Sequence, residues 1–320
     1  MSSTQSPPLR IGTRGSLLAL TQAGTVRDAI IAGGTPAELV VVHTAGDTSR
    51  APVEQIGVGV FTAALREALA RGDVDVAVHS YKDLPTAAYP GLVVGATPRR
   101  ADARDVLCAR DGLTLGTLPD GARVGTGSPR RVAQLLKARP DLRIVDIRGN
   151  VDTRLGRVAS GDLDAVVLAA AGLSRLGLLD EVEGEYLELS DWPTAPGQGS
   201  LAIEVREGRL DRALGTALAA INHATSQATT TAERFVLARL EAGCAAPIGA
   251  MAAIDDGLLF LTATVYSPDG ARSIVSSHAA TPDSHSVAHL VEAAQDVSER
   301  VARDLIQGGA ADIAPMKVTS

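Results

Sequence analysis

The segment RIGTRGS at residues 10–16 recurs in shortened form as RVGTGS at residues 123–128. In both copies an apolar strand pattern ends in a Gly-Thr turn, and an amphipathic helical pattern follows. A serine, Ser16 or Ser128, stands where its side chain can cap that helix, and Pro129 suits the first helical position. The repeat therefore predicts two lobes that share one strand-turn-helix unit.

Around this repeat, short apolar runs alternate with amphipathic helical patterns through the first two hundred residues, as in parallel sheets flanked by helices. Predicted strands cover residues 39–42, 74–78, 92–96, 143–147 and 163–169. Predicted helices, with apolar residues three and four positions apart, cover 18–31, 61–71, 130–137 and 151–160. This part of the chain is predicted to be α/β.

The last third of the chain has a different pattern. Residues 210–240 are mostly helical and end near Gly243, two alternating strand patterns follow at 248–254 and 258–266, and a final helix is predicted over 284–306. The Pro- and Gly-containing segment TAPGQGS at 194–200 indicates a crossing between lobes. We therefore expect one lobe from residues 1–100 with about 196–220, a second from 101–195, and a smaller α+β domain from 221–320.

The composition is that of a core-forming globular chain of 320 residues, 45% hydrophobic and 21% charged. A net charge of −7 and an aromatic content of 2% argue against a nucleic-acid partner. No apolar run approaches the ~20 residues of a membrane helix. The N-terminal sequence lacks a signal-peptide pattern, so we expect a cytoplasmic protein whose two cysteines, Cys108 and Cys244, are free thiols.

Arginines cluster where strands give way to helices. The relevant residues are Arg14, Arg130, Arg131, Arg148, Arg154 and Arg175. A helix N-terminus attracts anions, and guanidinium groups hold carboxylates or phosphates through paired hydrogen bonds. The set predicts a ligand with several acidic groups. Exposed salt bridges, or a GC-rich genome that favours arginine over lysine, would produce part of the same pattern.

Two further positions are candidates for chemistry. Asp83, with Lys82 beside it, follows a predicted strand and is a candidate acid, although an Asp before Leu-Pro also forms turns. Cys244 lies on a Gly- and Ala-rich loop where a bulky electrophile could reach it and form a covalent adduct. Cys108, within an apolar run, is predicted to be a buried small hydrophobic residue. No metal site is predicted.

These motifs together resemble the porphobilinogen deaminase family over nearly the whole chain. The matching blocks are IGTR with Ser16, VHSYKDLP at 78–85, GTGSPRR at 125–131, RGN at 148–150 with TR at 153–154, GQG at 197–199, GC at 243–244 and PIG at 247–249. The resemblance implies two periplasmic-binding-protein-like lobes and a third domain. It departs at Val58 and Ala63, where basic residues are common in the family.

The resemblance also implies a transferase that acts as a cytoplasmic monomer. Cys244 would carry a dipyrromethane cofactor through a thioether, and four porphobilinogen units would be joined to it head to tail with loss of ammonia. Hydrolysis would then release hydroxymethylbilane for tetrapyrrole and haem synthesis. Asp83 would be the catalytic aspartate, and Lys82 beside it would be the second catalytic residue.

The same resemblance implies binding roles for the remaining site residues. Thr126, Ser128, Arg130, Arg131 and Arg154 would hold cofactor and chain carboxylates. Arg14, Ser16, Arg148 and Arg175 would hold incoming substrate or later rings, and Gln198 belongs to the same set of binding residues.

Two other functions fit the residues alone. One is a non-catalytic two-lobed binding protein for a small polyanion, in which Cys244 has no role. The other is a cysteine-dependent acyl transferase. A permanent two-pyrrole adduct on Cys244 distinguishes the predicted enzyme from both.

Overall fold

The computed structural model describes residues 7–42, 60–208, 210–241 and 246–315, with only the backbone of residues 60 and 61. The contacts divide the chain into two compact units, residues 1–100 with 200–227 and residues 101–199 with 228–320. Val58, one of the two positions where the chain departs from the family pattern, and the loop that carries Cys244 lie outside the described residues.

Thirteen strands are present in the described ranges. They are β1 Leu9–Thr13, β2 Ala37–Val41, β3 Val76–Ser80, β4 Leu92–Ala96, β5 Asp105–Ala109, β6 Arg123–Gly125, β7 Arg143–Val145, β8 Ala165–Ala169, β9 Gly184–Leu187, β10 Leu201–Arg206, β11 Ile248–Asp255, β12 Leu258–Tyr266 and β13 Ser273–Ala280.

Nine α-helices accompany these strands in the same ranges. They are α1 Leu17–Ala32, α2 Val60–Arg71, α3 Pro129–Ala138, α4 Val151–Ala159, α5 Ala170–Arg175, α6 Arg212–Ile221, α7 Ala224–Arg239, α8 Val287–Gln307 and α9 Ala310–Ile313. In these ranges, no helix combines the length and apolar character needed to cross a membrane.

The first unit contains a five-stranded sheet in the order β2-β1-β3-β10-β4. Strand β1 runs parallel to β2 and β3, whereas β10 runs antiparallel to both β3 and β4. Helices α1 and α6 cover one face, where Val78 and Ile203 join the core. Helix α2 covers the other face, where Leu65 and Leu69 pack against Ala77.

The sheet of the second unit repeats this arrangement in the order β7-β6-β8-β5-β9. Strand β6 runs parallel to β7 and β8, and β5 runs antiparallel to β8 and β9. The two-lobe prediction from the repeated Gly-Thr turn is confirmed. The expectation of parallel sheets holds for three strands of each sheet and is wrong for the fourth strand in each order, β10 or β5, which runs antiparallel to its neighbours.

The C-terminal part of the second unit is a three-stranded antiparallel sheet, β11-β12-β13, with the long helix α8 packed on it. The sequence predicted β11, β12 and α8 but not β13. The helical pattern over 210–240 is divided into α6 and α7 at Asn222 and His223. The Asn222 side chain accepts from Thr97 N at 2.8 Å and His223 N donates to Thr97 O at 2.9 Å, which draws the chain out of the helix.

The turn between β12 and β13 packs directly on α3. Gly270 in this turn has φ +73°, and a Cβ there would overlap the carbonyl oxygen of Ala133 and lie 2.7 Å from Lys137 N. Gly257, in the turn between β11 and β12, has a similar φ of +76° but nothing within 4 Å of such a Cβ. A side chain at Gly257 would therefore introduce backbone strain alone, whereas a side chain at Gly270 would introduce the same strain and a steric clash with α3.

We predict that Gly270→Ala destabilises the protein by about 2–4 kcal/mol, because left-handed strain adds to displacement of the α3 backbone. Gly257→Ala, the matched control, should cost only about 1 kcal/mol from strain alone. Thermal unfolding of both variants measures the difference. Equal shifts in the unfolding midpoint would show that the contact with α3 contributes nothing.

Candidate active site

A buried carboxylate organises the arginine cluster of the second unit. Asp105 opens β5 with none of its surface exposed. It accepts from Arg130 Nη2 at 3.0 Å, from Arg131 Nε and Nη2 at 3.1 and 2.6 Å, from Trp192 Nε1 at 3.0 Å and from Gln198 Nε2 at 2.8 Å. One side chain thus binds three of the predicted site residues.

Local sequence explains why the arginines reach this carboxylate. Strand β6 ends before Thr126, and the Oγ1 of that residue accepts from Ser128 N at 3.2 Å. Ser128 then caps α3 by accepting from Arg131 N, and Pro129 is the first helical residue. The predicted cap is confirmed, and it places Arg130 and Arg131 in the first turn of the helix.

The cluster has an excess of positive charge. Two guanidinium groups face one carboxylate, which leaves a formal charge of +1 in a buried site. Burial alone raises the pKa of Asp105, but the charges of Arg131 and Arg130 outweigh it and the pKa is lowered. Burial lowers the pKa of Arg130, whose Nε has no hydrogen-bond partner among the described residues.

The turn that carries Arg148 lies against the turn that carries Thr126 and Ser128. Thr126 N donates to Val145 O at 3.0 Å, and a Cβ on Gly127 would lie 2.8 Å from Ile147 O. The guanidinium of Arg148 is partly exposed, with its Nε 4.0 Å from Asp146. The structure therefore brings the second Gly-Thr turn and Arg148 together.

Helix α4 begins at the end of this second turn. Asn150 caps it, accepting from Thr153 N at 2.9 Å, and Arg154 Nε donates to Gly149 O at 2.9 Å. Arg154 therefore lies beside the same loop as Arg148.

Two predicted site residues lie in or against the segment at 194–200, which was predicted to be a crossing between lobes: Gln198 belongs to it and Arg175 contacts it. Arg175 Nη2 donates to Gly199 O at 2.8 Å, and burial lowers the pKa of this guanidinium. The Gln198 amide donates to Ala103 O at 2.8 Å as well as to Asp105. Gln198 is 1% exposed, so in this unit it holds the backbone and the Asp105 carboxylate in place.

In the first unit, Asp83 ends a short 3₁₀ turn, Tyr81–Asp83, directly after β3. Tyr81 N donates to Ser200 O at 3.0 Å and Leu84 N donates to Tyr81 O at 3.1 Å, which fixes the turn through its backbone. The Asp83 side chain is exposed, and within the described ranges no hydrogen bond or ion pair engages it. Its carboxylate is available to a ligand, with Lys82 half-buried beside it.

The first Gly-Thr turn also lies in this unit. Ser16 caps α1 by accepting from Ala19 N, as predicted, and Thr13 Oγ1 donates to Ala19 O at 3.0 Å. Arg14, in the same turn, is half-buried. The first unit thus carries Arg14, Ser16, Lys82 and Asp83, and the second carries the other described site residues.

Three residues of these buried networks were not predicted from the sequence: Asp105, Trp192 and a second buried acid, Glu204 on β10. The available signal was an acidic residue within or beside a short apolar run, DVLCA or LAIEVR. Cys108 was predicted correctly as a buried hydrophobic residue, 4% exposed, and burial raises the pKa of its thiol to about 12. It is no candidate nucleophile.

Two family models match almost the whole chain. The model described as the porphobilinogen deaminase dipyromethane cofactor binding domain covers residues 9–213, and that of the porphobilinogen deaminase C-terminal domain covers residues 227–307.

The chain belongs to the porphobilinogen deaminase family. A porphobilinogen deaminase of Leifsonia xyli subsp. xyli is 65% identical over 313 residues, which are 97% of this chain and 95% of that one. One of Nocardia farcinica is 53% identical over 96% of this chain and 88% of its own. Among solved structures, the methionine-binding protein MetQ is 16% identical over 67% of this chain and 89% of its own, with a TM-score of 0.44.

Family membership confirms the predicted class of function. The chain is a transferase of porphyrin and tetrapyrrole biosynthesis that acts on a small molecule and uses a dipyrromethane cofactor. The predicted α/β fold with two sheet-containing lobes and a smaller C-terminal domain is also confirmed. The alternatives of a polyanion-binding protein and an acyl transferase are wrong.

We predict that Asp105→Asn destabilises the second unit by about 3–5 kcal/mol at pH 7, because it leaves two buried guanidinium groups without a counter-charge. Asp141→Asn is the matched control, since Asp141 pairs with Arg139 at 2.7 Å but lies at the surface, where such a pair contributes little. Denaturant unfolding at constant pH compares them. Similar losses for the two variants would contradict the central place of Asp105.

We also predict how the stability difference between wild type and Asp105→Asn depends on pH. The folded pKa of Asp105 lies below the value of about 3.9 in an unfolded chain, so its stabilising contribution is fully present above that pH. The contribution decreases as the pH falls below the unfolded value and is fully lost once the pH has fallen through the lower folded value. The stability difference between wild type and Asp105→Asn should be constant from pH 5 to 8 and narrow below about pH 4. A difference that changed between pH 5 and 8 would implicate another group.

Proposed function

We propose that this chain joins four porphobilinogen units head to tail, with loss of ammonia, on a dipyrromethane attached to Cys244, and then releases hydroxymethylbilane by hydrolysis. In this proposal Asp83 is the catalytic carboxylate. Arginines at the second Gly-Thr turn hold the acidic side arms of the rings. The chain acts as a cytoplasmic monomer, and light scattering on a size-exclusion column tests its oligomeric state.

The observation that carries the proposal is the uncompensated positive charge of the Asp105 cluster. Each porphobilinogen-derived ring carries an acetate and a propionate, so a chain of such rings brings several carboxylates. Arg130 has a buried Nε without a partner among the described residues, and the cluster keeps a formal charge of +1. A carboxylate would neutralise this charge and could accept from that Nε, so these residues fit the dipyrromethane cofactor.

The other members of the cluster differ in what they can offer a ligand. Arg131 already uses Nε, Nη1 and Nη2, on Asp105 and on Val167 O, so we propose that it contributes mainly its positive charge. Gln198 uses its amide within the unit and would act by fixing Asp105. Thr126, Ser128 and Arg154 would complete the binding of cofactor and chain carboxylates.

An arginine that is more exposed than Arg130 and Arg131 is suited to bind substrate groups reversibly. Arg148 is partly exposed with only a long contact to Asp146, which leaves it able to bind incoming carboxylates. We propose that Arg14, Ser16 and Arg175 also hold incoming substrate or later rings, Arg175 from a more buried position than Arg148. We also propose that the chain divides into three domains: a first lobe of residues 1–100 with about 196–220, a second lobe of residues 101–195, and a C-terminal domain of residues 221–320.

Asp83 would act on the reacting pyrrole. When bound, the dipyrromethane supplies the primer on which the product is assembled. As ammonia leaves an incoming unit, positive charge develops on its pyrrole nitrogen, and an aspartate aimed at that nitrogen stabilises the charge. The Asp83 carboxylate can also accept the proton released when rings join. Its exposed position, with no partner in the described part of the chain, leaves both roles open to it.

We predict that Asp83→Ala lowers turnover by about 100- to 1000-fold, the usual effect of removing one preorganised electrostatic group. Asp120→Ala, which removes a fully exposed aspartate, is the matched control and should leave turnover unchanged. Rates are measured on protein shown by intact mass to carry the cofactor. Near-normal turnover of loaded Asp83→Ala would refute the role of Asp83.

We further predict that the wild-type chain carries a permanent adduct of two linked pyrroles that is absent from Cys244→Ser. Cys108→Ala should keep the adduct, because the Cys108 thiol is buried and its pKa is raised. Intact-mass measurement of the three proteins decides this. An adduct retained in Cys244→Ser would place the attachment elsewhere.

A further inference from the structure

We propose that Glu204, His79 and Arg66 form a buried positioning network that fixes the end of β3 and, through it, the turn that carries Lys82 and Asp83. This inference rests on the proposed role of Asp83. None of the three residues is assigned to ligand binding, and the network lies entirely within the first unit.

The network joins two neighbouring strands to a helix. Glu204 on β10 is paired with Ala77 on β3, and its carboxylate lies diagonally opposite His79. His79 Nε2 is 3.0 Å from Glu204 Oε2. Arg66 on α2 donates through Nε to Oε2 at 3.0 Å and through Nη2 to Oε1 at 2.8 Å. The carboxylate therefore connects β3, β10 and α2.

These polar groups are buried in an apolar layer. The side chains of His79 and Glu204 are 3% exposed and that of Arg66 is 8% exposed. Leu65, Leu69 and Ala77 form the core on the same face of the sheet. Burial raises the pKa of Glu204, but its close contacts with His79 and Arg66 outweigh burial and the pKa is lowered, so the carboxylate is ionised at neutral pH.

A buried ion pair is seldom the most stable way to fill such a layer, because removing two charges from water offsets much of their attraction. What such a network adds is geometry, since the paired N–H groups of Arg66 fix the orientation of the carboxylate against which His79 lies. We therefore propose that the main role of the network is to fix the position of β3, and not only to stabilise the fold.

The opposite face of the same strand end is fixed as well. Successive side chains of a strand point to opposite faces, so Ser80 faces α1 when His79 faces α2. Ser80 Oγ accepts from Gln22 Nε2 at 2.9 Å, and Tyr81 N donates to Ser200 O at 3.0 Å. The last two residues of β3 are thus held on both faces immediately before the catalytic turn. A displacement of about 1 Å at a reacting group can cost about 100-fold in rate.

The other end of β3 provides a matched control. Asp75, the residue before β3, accepts from Arg10 Nε at 3.1 Å and Nη2 at 2.8 Å. This ion pair is partly exposed and lies at the amino end of the strand, away from the turn. Asp75→Asn makes the same carboxylate-to-amide change as Glu204→Gln without touching the end that leads to Asp83.

Four single variants test the proposal: His79→Leu, His79→Gln, Glu204→Gln and Asp75→Asn. For cofactor-loaded protein, we expect His79→Leu and Glu204→Gln to lower kcat by about 10- to 100-fold with little change in KM, because Asp83 is displaced while the carboxylate-binding arginines are intact. His79→Gln, which keeps a side-chain N–H, should recover much of kcat. Asp75→Asn should lower the unfolding midpoint and leave kcat within about twofold.

A double-mutant cycle separates positioning from general destabilisation. If His79 acts through Asp83, adding His79→Leu to Asp83→Ala should lower kcat no further than Asp83→Ala alone. Independent effects that multiply would overturn the proposal, as would near-normal kcat in folded, loaded His79→Leu. If Glu204→Gln does not fold, the two His79 variants and the cycle still decide the question.

The outcomes also distinguish this inference from the proposed function. Full turnover of Asp83→Ala would refute the catalytic role itself, and the positioning proposal with it. A large loss in Asp83→Ala together with unchanged kcat in His79→Leu would refute only the network.

Discussion

The structure of the second unit depends on one buried carboxylate that balances two buried arginines. Asp105 connects β5 to the first turn of α3 and also binds Trp192 and Gln198. Without it, the unit would enclose two cations with no counter-charge, which is among the most unfavourable arrangements in a protein interior. Because Arg130 belongs both to this cluster and to the proposed carboxylate site, the same interaction sets the fold and prepares the site.

Each of the two units contains a buried acid that is paired with arginine. In each sheet the fourth strand runs antiparallel, and that strand supplies the buried acid, Asp105 on β5 and Glu204 on β10. In each case the acid binds arginine from a helix packed on the sheet, α3 in one unit and α2 in the other. Among the described residues, the sequence repeat at the Gly-Thr turns thus extends to a repeated use of a buried ion pair, with two arginines on Asp105 and one on Glu204.

Features encoded by neighbouring residues were predictable from the sequence. The Ser16 and Ser128 caps depend on contacts three residues apart, and the boundaries of α1, α3 and α4 came within one residue of those predicted. The buried pairs were not predictable in this way. Asp105 lies 26 residues from Arg131, and Glu204 lies 138 residues from Arg66, so only the order of strands brings them together. Strands β5 and β10 were not among the predicted strands, and a short apolar run gives no indication of strand direction, so their antiparallel orientation was not foreseen either.

A net charge of −7 opposes the proposed polycarboxylate ligand only if charge is averaged over the whole chain. At distances beyond about 10 Å, salt screens the overall field, whereas a carboxylate that reaches Arg130 interacts at contact distance in a poorly screened site. The fold has already removed water from that guanidinium and fixed its direction through Asp105 and Gln134. An acidic ring substituent therefore meets a guanidinium that needs little rearrangement. Binding is then favoured by the fixed orientation of this donor and not by the net charge of the protein.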